Sequence, residues 1–316
     1  MSVPRPILPE PIIPRPIIID CDPGIDDAIA LMLAFASSET LEVLAVTTVA
    51  GNVPLHLTEP NARRVRDLCG ASQVPVLAGC PRPLLRRLVT ADDIHGASGL
   101  EGSGLPPARG TADTRHAVDW LRDTIRARPG EITVAAVGPL TNLAVALVQR
   151  PELAYEIREI IIMGGAAGAG NVTPDAEFNF HVDPHAARIV FESGASITMV
   201  GLDITRQARA LPEWLQTIAA LDTPVARCVV GMLAHYGSVG GSLHDVLAVM
   251  QLLRPELMTF EACRVEIEIE DPETIGKSRV TRGVPPPEAN AQVGFALDAP
   301  GFRAFLAERL GRYGAV

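Results

Sequence analysis

Several common signatures are missing from this chain. Its five cysteines, at positions 21, 69, 80, 228 and 263, form no C-x-x-C pair and are odd in number, so neither a zinc ribbon nor a complete disulfide framework fits. Reduced thiols in a cytoplasm are expected. Basic charge is short as well: 27 Lys and Arg stand against 37 Asp and Glu, a formal charge of −10. The average surface would repel a phosphate backbone or an anionic membrane, so neither nucleic acid nor a membrane is expected as a partner. The longest uncharged run, residues 132–149, is interrupted by Gly138-Pro139 and Thr141-Asn142. It reads as a buried strand, a turn and a helix, and no membrane span is supported. Near the N-terminus there is no continuous apolar run and no small-residue cleavage site, so a signal peptide does not fit. The prolines at 4, 6, 9, 11, 14 and 16 suit a stiff extended leader over 1–16. No internal repeat and no linker divides the remainder, so 17–316 are expected to form one domain.

What is present is an apolar fraction of 47% in 316 residues, enough for a large core. Short β-branched runs at 17–22, 41–50, 74–78, 132–138, 160–164 and 197–202 are each followed by turn residues. Most then lead into a helical pattern, as at 26–37 and 184–192. The runs are continuously apolar, the mark of strands covered on both faces, and predict an α/β fold with a mainly parallel central sheet flanked by helices. Further on, 211–236 and 243–253 read as helices, 264–270 alternates as a more exposed strand would, and Pro285-Pro286-Pro287 marks a loop. Ligands of such sheets gather beyond the carboxyl ends of the strands.

The most informative stretch lies at the first such end. Asp20, Asp22, Asp26 and Asp27 place four carboxylates within eight residues, directly after Ile17-Ile18-Ile19. Alternation puts Asp20 and Asp22 on one strand face, and Pro23-Gly24 turns the chain so that Asp26 and Asp27 open the next helix. Either of the latter alone could be a helix cap. Capping does not account for Asp20 and Asp22 in an apolar strand. Carboxylates crowded together repel unless a hard divalent cation holds them ionised. Zinc is disfavoured, since no Cys or His of the right spacing accompanies them.

With these residues in view, DCDPGIDDAIAL at 20–31 resembles the N-terminal signature of the inosine-uridine-preferring nucleoside hydrolase family. Similar segments recur in family order: Val49-Ala-Gly-Asn52, Ile94-His-Gly-Ala-Ser-Gly-Leu-Glu101, Val137-Gly-Pro-Leu-Thr-Asn142, Ile162-Met-Gly-Gly165, Gly170-Asn-Val-Thr-Pro-Asp-Ala-Glu-Phe-Asn179 and Leu243-His-Asp245. Together they span most of 17–298. The resemblance implies a nucleoside hydrolase-like fold and hydrolysis of the N-glycosidic bond of ribonucleosides to ribose and free base. It implies Ca²⁺ held by Asp22, Asp27, Asp245 and the Val137 carbonyl, with Asp22 also the base that takes a proton from water.

The remaining motifs carry expectations of their own. Asn52, at the end of the second strand, can bond a substrate hydroxyl or orient a carboxylate. Asn171, Glu177 and Asn179 follow a glycine-rich loop that lacks G-x-G-x-x-G spacing, and look like the family's ribose clamp. Asp26 and Glu177 are expected beside the oxocarbenium-like centre. By resemblance Met163 lies beside the sugar and His244 faces the nucleobase as a general acid, with His95 approaching the site. His181 and His185 read as structural. The stretch between Tyr236 and His244 is short and glycine-rich and departs from the family; it lies where base preference is set, leaving purine against pyrimidine open. A homodimer or homotetramer is expected. Two readings from other classes are a haloacid dehalogenase-type phosphatase, whose pattern after the second aspartate is not supplied, and a catalytically silent nucleoside or ribose binder.

Overall fold

Three consecutive isoleucines show how the sheet is built. In the computed structural model, which describes residues 13–236 and 241–314, Ile17 and Ile19 are buried in one core and Ile18 in another. Alternate side chains of a strand covered on both faces must divide in this way, so an unbroken apolar run is what such a strand needs. All six expected strands form: β1 (Arg15–Cys21), β2 (Leu41–Thr48), β3 (Val76–Ala78), β4 (Thr133–Ala136), β5 (Glu159–Met163) and β6 (Ile197–Val200). Three more follow, β7 (Met258–Ile267), β8 (Ser278–Arg282) and β9 (Ala291–Leu297). They make one nine-stranded sheet in the order β3-β2-β1-β4-β5-β6-β9-β7-β8. Pairing is parallel from β3 through β9, and antiparallel only where β7 joins β9 and β8. The fold is therefore α/β with a mainly parallel sheet.

Helices cover both faces. Ile25–Phe35 and Val246–Leu253 bury their apolar residues in the core that holds Ile17 and Ile19, whereas Ala117–Ala127, Thr141–Gln149 and Pro184–Phe191 pack on the Ile18 side. Strand order fixes the place of the site. From β1 the chain steps outward to β2 and β3, then returns to β4 on the other side of β1 and continues to β5 and β6. The crevice at this reversal opens beyond the carboxyl ends of β1 and β4. Asp22 follows β1 and Val137 follows β4.

Three local expectations need correction. The helix read over 211–236 is two, Pro212–Ala219 and Pro224–Tyr236. Asp222 adopts a left-handed φ of 49° between them, and Pro224 lacks the N–H that a continuous helix would need. The strand read at 264–270 is β7, which starts six residues earlier because Met258–Cys263 pairs with β9, and ends at Ile267. Its expected alternation is present, with Cys263, Val265 and Ile267 buried and Arg264 and Glu266 exposed. The helix read from 243 begins at Val246. Of the proline-rich leader, residues 1–12 lie outside the described residues, and β1 already begins at Arg15. Among the described residues no helix is long and apolar enough to cross a membrane, and all five cysteines are free.

Candidate active site

The chain leaves β1 through Asp22-Pro23-Gly24 and enters the helix Ile25–Phe35, whose first N–H groups have no intrahelical partners. Asp27 meets two donors of this turn: Oδ1 accepts from Asp22 N–H at 3.1 Å and Oδ2 from Gly24 N–H at 3.0 Å. His95 meets another, its Nδ1 accepting from Ile25 N–H at 3.0 Å. Asp27 thus serves as a cap as well as a member of the acidic cluster. Asp22 is fully buried; its Oδ2 accepts from Asn52 N–H at 2.6 Å, while Oδ1 has no hydrogen-bond partner. Two glycines make room for that carboxylate. A Cβ on Gly51 would stand 2.0 Å from Asp22 Oδ2, and one on Gly138 2.5 Å from Oδ1.

Across the crevice, Asp245 occupies the N-cap of Val246–Leu253 but makes no capping hydrogen bond. Its carboxyl instead shares a hydrogen bond with Asp27. The backbone N–H groups of His244 and Asp245 face Asp26 and favour its ionised form. One ligand atom from each of Asp26, Asp27 and Asp245 lies within 4.8 Å of the others. Asp22 is not one of this trio but joins it through Asp27. Burial first, and neighbouring carboxylates second, push Asp22 and Asp245 well above the usual range and Asp26 up to about 7. Asp27 is also raised by burial. Buried, mutually repelling oxygens with one orphaned acceptor, Asp22 Oδ1, fit a hard cation that binds oxygen ligands. Asp20 has a different role: its Oδ1 accepts from Thr47 Oγ1 at 2.5 Å and Asn142 Nδ2 at 2.8 Å, tying strand ends together.

A cavity of about 470 Å³ opens here. Of the expected site residues, Asp26, Asn52, His95, Val137, Met163 and Asn171 line it, as do Glu177, Asn179, His244 and Asp245. Asp22 and Asp27 do not line it; they lie behind Asn52, whose Nδ2 donates to Asp22 O at 3.2 Å and to Asp27 Oδ2 at 3.0 Å. Asn52 therefore spends its donors orienting aspartates. Glu177 caps the helix Phe178–Val182: Oε1 accepts from Asn179 N–H, and Oε2 from Phe180 N–H and Gly165 N–H. Burial lifts its carboxyl to about 7 against those three bonds. Asn179 Nδ2 donates to Val137 O at 2.8 Å and Met163 O at 3.1 Å, which leaves Oδ1 as an acceptor and a second lone pair on the Val137 carbonyl. Asn171 Oδ1 accepts from Phe178 N–H at 2.9 Å, so its amide nitrogen is the group left to donate.

Two histidines, His95 and His244, line the cavity. Burial and then neighbouring His244 and His235 push His95 down to about 3; burial and then Arg206 push His244 down to about 4. Both rings are neutral near pH 7. His181 and His185 do not line the cavity. Several supporting residues were not singled out in the sequence. Thr205 Oγ1 lies 2.7 Å from His244 Nδ1. Asp203 accepts from Ala167 and Gly168 N–H, and Arg206 donates to Ala169 O and Gly170 O, gripping the glycine loop before Asn171. No local pattern marks these residues, because each acts on a partner at least 35 positions away. The glycines did carry a signal: Gly51 and Gly138 lie inside the quoted motifs. The stretch 237–240, part of the segment between Tyr236 and His244, lies outside the described residues.

Comparison with known proteins gives a consistent result. Residues 17–304 match the family described as inosine-uridine preferring nucleoside hydrolase. The chain is 44% identical over 306 residues to a pyrimidine-specific ribonucleoside hydrolase, RihA, of Shewanella woodyi, covering 94% of this chain and 98% of the relative. Among solved structures it resembles a plant nucleoside hydrolase, with a TM-score of 0.87 and 32% identity over 94% of this chain and 99% of that one. A purine-preferring ribonucleoside hydrolase from Gardnerella vaginalis aligns with a TM-score of 0.88 and 31% identity over 94% and 98% of the two chains.

Proposed function

The chain belongs to the inosine-uridine preferring nucleoside hydrolase family, and from that premise we propose that it is a calcium-dependent hydrolase of ribonucleosides with a preference for pyrimidines. The observation that carries the mechanism is Asp22: a fully buried carboxylate with one oxygen held by Asn52 N–H and the other without a partner. Asp22, Asp27, Asp245 and the Val137 carbonyl would hold the cation. Calcium, when bound, supplies the charge that keeps these carboxylates ionised and acidifies water and the ribose hydroxyls. Asp22 takes the proton of the attacking water at Oδ1, the oxygen to which no other residue donates. Water adds to C1′, the C1′–N bond breaks, and its electron pair leaves with the base.

Positive charge spreads over C1′ and the ring oxygen during this step. Asp26 and Glu177 line the cavity where their negative charge would stabilise it. Asp26 also faces the 2′-hydroxyl, and the Asn179 Oδ1 acceptor and Asn171 amide donor grip the other hydroxyls, with Met163 against the sugar and Asn52 holding the aspartates in register. His244 faces the departing base as a hydrogen-bond donor to the charge that gathers on it, and His95 lies beside it. Pyrimidine preference is supported by the RihA relative at 44% identity, against 31% for the purine-preferring structure. Free cysteines support a cytoplasmic setting, and the family resemblance supports a homodimer or homotetramer.

The test is a panel of uridine, cytidine, inosine and guanosine assayed for reducing sugar without phosphate. The reading expects uridine and cytidine to be cleaved with the higher kcat/KM. Faster cleavage of inosine and guanosine would overturn the base preference, and no cleavage of any of the four would overturn the hydrolase reading.

A further inference from the structure

His244 meets the cavity with one ring nitrogen already committed. Its Nδ1 lies 2.7 Å from Oγ1 of Thr205, the last residue of the short helix Leu202–Thr205 after β6. Thr205 is fully buried. A hydroxyl can accept from a protonated Nδ1 or donate to a bare one. Among the described residues, Thr205 Oγ1 has no hydrogen-bond partner besides His244. A buried hydroxyl with a single partner does best by donating to it, since a buried donor left unpaired is rarer and costlier than an unused lone pair. That direction leaves Nδ1 bare. A ring carrying a single proton then holds it on Nε2, the nitrogen left for the cavity.

We propose that Thr205 is a positioning residue for nucleobase departure: its hydroxyl donates to Nδ1 of His244 and fixes the tautomer that presents Nε2–H to the leaving base. The inference deepens the hydrolase reading and rests on it, because it gives His244 its function only if a base departs there. A pyrimidine leaving with the C1′–N electron pair gathers negative charge on N1 and O2. A fixed N–H donor meets that charge where the opposite tautomer would offer a lone pair and repel it. The platform beneath Thr205 is rigid. Asp203, two residues before it, accepts from Ala167 N–H at 2.6 Å and Gly168 N–H at 3.1 Å, and Arg206, next after it, donates to Ala169 O at 2.9 Å and Gly170 O at 2.7 Å. One short helix thus ties the ring of His244 to the loop that leads into Asn171. The backbone N–H of His244 faces a different group, Asp26. The hydroxyl touches the ring and not the backbone of His244, so it can be removed without breaking a backbone contact of that residue.

The test uses Thr205→Val, which keeps the shape and loses the hydroxyl, and Thr205→Ser, which keeps the hydroxyl. Each is assayed on uridine and on p-nitrophenyl riboside, whose phenolate departs without help. Thr205→Val should lower kcat on uridine by roughly 10- to 100-fold, at the low end of what a positioned proton donor contributes. KM for uridine and turnover of the aryl riboside should stay within about threefold, and Thr205→Ser should restore uridine turnover. Nitrogen-15 spectra of histidine-labelled wild-type protein should show His244 protonated at Nε2, with a tautomer mixture in Thr205→Val. Unchanged uridine turnover in Thr205→Val, or equal losses on both substrates, would overturn the proposal. A wild-type ring protonated at Nδ1 would overturn it without any activity measurement. If wild-type protein cleaves neither substrate, the hydrolase reading fails, and the spectra still decide whether Thr205 sets the tautomer.

Discussion

Gly51→Ala adds a single methyl group at the tightest point of the site. The new Cβ would lie 2.0 Å from Asp22 Oδ2 and 2.8 Å from Pro139 Cδ, whereas carbon and oxygen ordinarily approach to about 3.4 Å. The carboxylate must therefore move by about 1.4 Å. It cannot retreat past the other wall, because Gly138 leaves no spare space: a Cβ there would be 2.5 Å from Asp22 Oδ1. The 2.6 Å bond from Asn52 N–H is broken. A hydrogen bond to a charged group is worth about 1.5–3 kcal/mol. A misplacement of about 1 Å at a reacting group can cost roughly 100-fold in rate, or about 2.7 kcal/mol. The two routes agree. Uridine kcat/KM of Gly51→Ala should fall by roughly 100-fold while the overpacked core loses about 1–3 kcal/mol of stability. Gly314→Ala is the control, since nothing lies within 4 Å of its added Cβ. Steady-state hydrolysis of uridine, with circular dichroism and thermal melting to verify the fold, decides the matter. A folded Gly51→Ala protein within about threefold of wild type would refute the placement of Asp22 as the base.

Three further outcomes follow from the same geometry. Losing the 2′-hydroxyl removes a donor to Asp26 and leaves a buried carboxylate unpaired, so 2′-deoxyuridine should be cleaved with kcat/KM lower than uridine by at least about 100-fold; equal values on the matched pair would refute the ribose clamp. His244→Ala should impair uridine hydrolysis by about 10²-fold or more and p-nitrophenyl riboside hydrolysis far less, and equal losses would remove His244 from leaving-group assistance. The cation-free protein should lose stability as pH rises from about 6.5 to 8, above the range in which the depressed His95 and His244 act in the opposite direction. Asp26, raised to about 7 with Asp22 and Asp245 well above their usual range, binds protons more tightly folded than unfolded. Its contribution is complete below about 3.8 and fades as pH passes through about 7. Surface carboxylates held low by arginines, such as Glu39 at about 2, titrate below that window. Thermal melting should show the fall without calcium and its removal with calcium; a flat or rising cation-free profile would contradict the account.

The parts of the fold legible in the sequence are those set by local burial. Six parallel strands stand out because Ile17-Ile18-Ile19 and runs like it feed two cores at once. The edge was harder to read. β8 is Ser-Arg-Val-Thr-Arg, with only Ser278 buried, and β9 contains Gly294, whose added Cβ would be 3.0 Å from Phe260. Neither has the apolar run of a central strand. The acidic cluster was legible as a cluster, since Asp22, Asp26 and Asp27 are near neighbours in sequence. Its internal division was not: Asp20 and Asp22 share a strand face, yet Thr47 and Asn142 take Asp20 while Asn52 takes Asp22. Those partners lie 27 to 122 positions away. The same holds for His95 on Ile25, Asn179 on Val137 and Thr205 on His244, contacts that exist only once the sheet is assembled.

The central claim, that these carboxylates and a calcium ion deliver water to the anomeric carbon, is tested most directly by product identity during a calcium titration. Chelator-treated, dialysed protein is mixed with uridine in phosphate-free buffer, and calcium is added stepwise while proton NMR follows the anomeric signals. The account predicts no turnover before calcium, then ribose and uracil appearing in equal amounts, with no change in product when phosphate is supplied. Full turnover in chelator, or ribose 1-phosphate appearing when phosphate is present, would contradict it.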